Sequence, residues 1–145
     1  MTTSVKLPLA SASVFLWLGF VGAISFLEAW LKFLAPGITI PLGLGIGRLV
    51  FNALNAVEWV LAVVILTDMI RAGRRLFSSK NGLYFVPFVV LAVQTFWLLP
   101  QLDARAEILI QGYELEASNL HFYYVGMEIV KVVCLLIFGI KLFKT

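Results

Sequence analysis

The chain has 145 residues, 61% of them hydrophobic and 13% charged, where soluble domains carry roughly 45 to 50% apolar and about 25% charged residues. A water-soluble fold has nowhere to hide that much apolar surface, so the composition excludes a soluble globular domain and points to a membrane protein. The net charge of +3 is read as a record of orientation and anionic-lipid contact, with no nucleic acid as partner.

Four apolar segments of bilayer-spanning length account for the chain, so a single membrane domain over residues 1–145 is expected, with spans at about 8–34, 49–70, 83–99 and 119–142. The first span starts at Pro8, suited to a first helical turn, and stops at Pro36-Gly37. Its apolar run is too long for a signal-peptide core and reads as a retained helix. The small residues Gly19, Gly22 and Ala23 on this span suit close helix contact.

The connector Ala35 to Arg48 is rich in Gly and Pro yet apolar, which predicts an interfacial or re-entrant segment before the second span begins near Leu49, or at the earliest Pro41. A Gly43 to Gly47 GxxxG match lies inside it. After Ile70 come Arg71, Arg74, Arg75 and Lys80, with Asn81-Gly82 as the turn. The third span is predicted to end at Pro100, followed by a short interfacial helix with Asp103 as N-cap and Gly112 as stop. The fourth opens near Ser118-Asn119 and finishes among Lys141 and Lys144.

The basic residues Lys6, Arg71, Arg74, Arg75, Lys80, Lys141 and Lys144 fall on one side of a four-span layout. The fold expected is therefore an all-α four-transmembrane-helix bundle with N and C termini cytoplasmic. Trp30, Trp97, Tyr84 and Tyr113 fall near span ends, as an aromatic belt would.

Ionisable and amide side chains inside spans are the candidates for function, because burying charge in lipid costs on the order of 2.5 to 3.5 kcal/mol on insertion scales. The second span carries Asn52, Asn55 and Glu58 at spacings of three, within about a third of the helix circumference. The fourth carries His121, Tyr124, Glu128 and Lys131 at offsets that fall in one narrow stripe. Two functions compete for this polar cluster. It forms a relay or binding line for protons or a small ligand, or it is an interhelix clamp in which two glutamates share one lysine.

An offset of 70 aligns Glu58 with Glu128, Val60 with Val130, Val63 with Val133 and Leu66 with Leu136, a weak sign of a duplicated hairpin. Secondary candidates are Glu28, paired by spacing with Lys32, together with Gln94, Asp103 and Arg105.

No catalytic residue, metal site or cofactor is assigned. The lone Cys134 and lone His121 exclude a cysteine zinc site and bis-His haem within one chain, and no phosphate-binding or nucleophile motif is present. A site of His121 with Glu28, Asp103 or Glu107 remains geometrically conceivable.

The segment LLPQLDARAEILIQG followed by SNLHFYYVGMEIVK resembles the C-terminal half of small, uncharacterised four-span bacterial membrane proteins. Their pattern is a Leu-Pro-x-Leu-Asp-x-Arg run, then Ser, His, Tyr, Glu and Lys on the last helix. Asp103, Arg105, His121, Tyr124, Glu128 and Lys131 occupy those places. The resemblance implies a bacterial inner-membrane address and no known activity.

The expected function is that of a non-catalytic helical-bundle module, with an enzyme acting on a lipid or quinone in the membrane as the least favoured reading. Its partners are the lipid bilayer and either copies of itself or other membrane subunits. The alternative is a small transporter or proton- or ion-conducting protein using the intramembrane Glu/Lys/His cluster.

Overall fold

A computed structural model describes residues 7–74 and 82–143. Lys6, Arg75, Lys80, Asn81 and Lys144, on which part of the orientation argument rests, lie outside the described residues. Four long helices, α1 (Pro8–Leu34), α2 (Ile40–Arg71), α3 (Gly82–Ile110) and α4 (Leu120–Phe143), make up the described structure with their connectors. The first three are long and apolar enough to cross a membrane, which marks the chain as an integral membrane protein.

Each helix packs against its neighbour in sequence, and α1 against α4, closing a ring of four. Asp68 near the end of α2 accepts from the Ala10 backbone N–H at 2.8 Å, capping the start of α1, while Phe15 meets Phe143 at 5.7 Å. Residues 7 and 143 therefore lie at the same end of the molecule as Arg71 and Arg74. Lys32, Arg48, Asp103 and His121 gather at the opposite end.

Two boundaries differ from expectation. The connector between α1 and α2 is only residues 35–39, because α2 already begins at Ile40 with Pro41 in its first turn and Thr39 Oγ1 accepting from the Leu42 N–H at 3.4 Å. The glycines beyond are helical, so the expected re-entrant segment is not found among the described residues.

Helix α3 runs through Pro100 instead of stopping there, so no separate interfacial helix exists and Asp103 is not an N-cap. A widened π turn over Gln94–Leu98 precedes the proline. It moves aside the carbonyl with which the pyrrolidine ring would clash in a regular helix. Thr95 Oγ1 donates to the Leu91 carbonyl at 2.7 Å, supplying a partner where the ladder is interrupted. The helix ends before Gly112, whose φ of 87° is the left-handed conformation that favours glycine after a helix.

Buried positions recur every three or four residues on each helix: Val14, Trp17 and Val21 on α1, Leu54, Glu58, Ala62, Ile65 and Met69 on α2, and Tyr124, Glu128, Lys131, Leu135 and Phe138 on α4. That is the stripe expected where a helix turns one face to its neighbours. Large apolar side chains cover the outside, including Phe96, Leu49 and Phe122. Tyr84 is a correction to the aromatic belt: it is buried and donates to the Ala62 carbonyl, whereas Trp30, Trp97 and Tyr113 are exposed.

The small residues of α1 are not the close contacts. A Cβ on Gly19 or Gly22 would meet nothing within 4 Å, while one on Gly43 would lie 2.2 Å from Phe33 Cε1 and one on Gly139 3.0 Å from Val14 Cγ1. The Gly43–Gly47 match thus serves to seat the side chains of Phe33 and Lys32 against α2.

Candidate functional site

At mid-height, one polar side chain or more from each helix meets inside the ring. Glu58 sits in the buried stripe of α2 and Glu128 and Lys131 in that of α4, and all three are at most 1% exposed. Lys131 Nζ donates to Glu58 Oε1 and, at 3.0 Å, to Glu128 Oε1. Trp17 Nε1 of α1 donates to the same Glu58 oxygen at 2.7 Å, and Gln94 Nε2 of α3 to Glu128 Oε1 at 2.9 Å. Gln94 begins the π turn of α3.

The geometry decides several sequence expectations. The stripe on α4 places Tyr124, Glu128 and Lys131 together in the interior, but His121 is exposed at the end of the stripe. On α2 the three polar residues part company. Glu58 turns to α1 and α4, Asn55 Nδ2 donates to Thr95 Oγ1 of α3 at 2.9 Å, and Asn52 is exposed. Trp59 Nε1 donates to the same threonine oxygen at 2.9 Å.

Trp17, Thr95 and Trp59 carry no sequence signal that separates them from apolar filling. Only the general tendency of buried Trp to seek an acceptor for its N–H points to Trp17. One ammonium reaches both of the glutamates that the offset of 70 aligns.

Toward the Arg48 end a cavity of about 170 Å³ opens between the helices, with Tyr124 among its lining residues. The Tyr124 hydroxyl lies beside Glu128 and Ser25, although neither Glu128 Oε2 nor Ser25 Oγ closes a hydrogen bond of good geometry. Tyr124 thus stands between cavity and cluster.

The rim is built of two ion-pair groups. Lys32 pairs with Glu28 at 3.2 Å, as the spacing implied, and its Nζ also lies 5.5 and 5.7 Å from the ring centres of Phe33 and Phe51. Arg48 of α2 binds Asp103 of α3 bidentately, Nε to Oδ1 at 2.6 Å and Nη2 to Oδ2 at 2.9 Å, and Glu107 through Nη1. Arg105 instead donates to the Glu116 carbonyl.

With those carboxylates engaged, the conceivable grouping of His121 with Glu28, Asp103 or Glu107 is not formed. No group of three or more His, Cys, Asp or Glu able to hold a metal ion occurs among the described residues. Comparison with protein-family models, with curated proteins and with solved structures found no match.

Proposed function

We propose that the protein is a four-span membrane bundle that performs no catalysis and acts as an assembly module in the bilayer, its buried polar cluster setting the register of its helices. The observation that carries this is the network Trp17–Glu58–Lys131–Glu128–Gln94, which draws on all four helices. In lipid an apolar face binds lipid tails as well as another helix, so register comes from packing and from interhelix hydrogen bonds. Toward the Arg71 end, Ala62, Ile65, Met69, Leu91, Leu135 and Phe138 line most of the interior with apolar side chains, interrupted by the buried Ser11, Ser13 and Tyr84.

Helix α4, 24 residues long, reaches about 36 Å at 1.5 Å per residue and supplies the fourth span. The positive-inside rule then turns the Arg71 end, and with it both chain ends, to the cytoplasm, and the Asp103 to Lys131 resemblance supports a bacterial inner membrane. An open groove of about 370 Å³ between α3 and α4, floored at Gly126 and walled by Val90, Trp97, Phe122 and Val130, supports association with a second copy or another membrane subunit.

One observation favours the second reading, a small proton- or ion-conducting protein. Two carboxylates share one ammonium, so the cluster is neutral only with one bound proton, and Tyr124 links it to the open cavity. Proteoliposome proton and solute flux, compared for the wild type, Glu58→Gln and Glu128→Gln, separates the two. The assembly module predicts no flux above empty liposomes and a changed thermal midpoint in the variants. Flux in the wild type abolished by either substitution replaces it with the conducting protein.

A further inference from the structure

The cavity beside Tyr124 has chemistry of its own. At about 170 Å³ it matches the space that takes one six-membered ring, a cavity of roughly 150 Å³ being enough for benzene. Phe33 and Phe51 are among its lining residues.

The one carboxylate among its lining residues, Asp103, is held by Arg48. Donors outnumber acceptors among the groups left over, because an ammonium offers three N–H and accepts nothing. Among the described residues Asn52 and His121, both in the lining, make no hydrogen bond, and Lys32 makes one.

The charged side chains of the lining, Lys32, Arg48 and Asp103, are all held in ion pairs, so an anion would have to compete with a carboxylate already in place. A cation would face Lys32, which already occupies the place near the Phe33 and Phe51 rings where a cation is attracted.

We propose that this cavity binds an uncharged, ring-sized molecule carrying a carbonyl oxygen, the ring against Phe33 and Phe51 and the oxygen accepting from Asn52, His121 or Lys32.

The only histidine in the chain makes the experiment specific. The detergent-purified protein is titrated with cyclohexanone, methylcyclohexane, cyclohexanecarboxylate and cyclohexylammonium, and the His121 ring resonances are followed by NMR. Cyclohexanone is expected to give a saturable shift at concentrations about tenfold lower than the other three, the difference one satisfied hydrogen bond makes.

Asn52→Leu, at an exposed position, should weaken cyclohexanone severalfold and leave methylcyclohexane unchanged. Ala106→Phe, which fills the cavity from α3, should abolish the response while the thermal midpoint shows the variant folded. If that variant does not fold, Asn52→Leu decides alone. Equal or tighter binding of methylcyclohexane, the carboxylate or the ammonium overturns the proposal, as does a cyclohexanone response that never saturates or that survives in the folded Ala106→Phe variant.

Discussion

Glu58 on α2 and Glu128 on α4 are bound to one another through a single ammonium, that of Lys131, at a depth where none of the three is more than 1% exposed. Charge alone makes such a group unfavourable in lipid, and it persists because each carboxylate has a further donor, Trp17 or Gln94. Its weight in stability follows from what happens when one member is removed.

Lys131→Met leaves two carboxyl groups facing each other without a cation. Breaking a buried ion pair by removing one partner costs about 3 to 5 kcal/mol, so this variant should lose several kcal/mol in thermal or denaturant unfolding in detergent. The triple variant Glu58→Gln, Glu128→Gln, Lys131→Met removes the charge together with its partners and should regain most of that loss. A triple variant as weak as the single one would show that shape, not charge, is what matters at this position.

Trp17→Phe keeps the aromatic body and deletes the N–H that reaches Glu58. A hydrogen bond to a charged group contributes about 1.5 to 3 kcal/mol, and the deficit should shrink to about 0.5 to 1.5 kcal/mol in a Glu58→Gln, Lys131→Met background, where the acceptor is a neutral amide oxygen. Unfolding free energies of the four proteins form the cycle, and additivity would count against the bond.

Two neighbouring glycines on α2 should respond oppositely to alanine. Gly45 has open space where a Cβ would go, so Gly45→Ala should stabilise by about 0.5 to 1 kcal/mol through helix propensity. At Gly43 the Cβ would lie 2.2 Å from Phe33 Cε1, so the ring must leave its seat, and overpacking of this kind costs about 1 to 3 kcal/mol. Paired melting curves check the sign of each.

Asp68→Ala removes the carboxylate that accepts from the Ala10 N–H. Loss of a helix cap costs about 0.5 to 2 kcal/mol, and here the cap ties α2 to α1. Hydrogen exchange of the first turn of α1 should quicken in this variant before that of α4 does. Equal quickening in both helices would mean that the contact stabilises the whole ring and not the end of α1.

Much of this architecture was legible without coordinates, and unevenly so. Pro8, Pro36-Gly37 and Gly112 mark helix ends in both sequence and structure, because a missing donor and a left-handed backbone act locally. Pro100 misled because a single π turn two to six residues earlier absorbs it. The Gly-rich start of α2 misled because glycines that look like a loop here make room for Phe33 and Lys32. In the candidate site, the α4 stripe was readable from spacing down to Tyr124, Glu128 and Lys131. Asn52 and Asn55 share a helix with Glu58 yet meet different surroundings.

What the order of residues determined alone is the solvent this chain suits and the buried face of each helix, since composition selects lipid over water and a period near 3.6 needs no partner to be read. What only the packed molecule decided is who meets whom across that interior. Trp17 reaching Glu58, Gln94 reaching Glu128, and Arg48 locking Asp103 and Glu107 depend on how far each helix is rotated and slid against the others. Those are rigid-body quantities, set by side chains filling space between elements distant in the chain, and no local pattern encodes them.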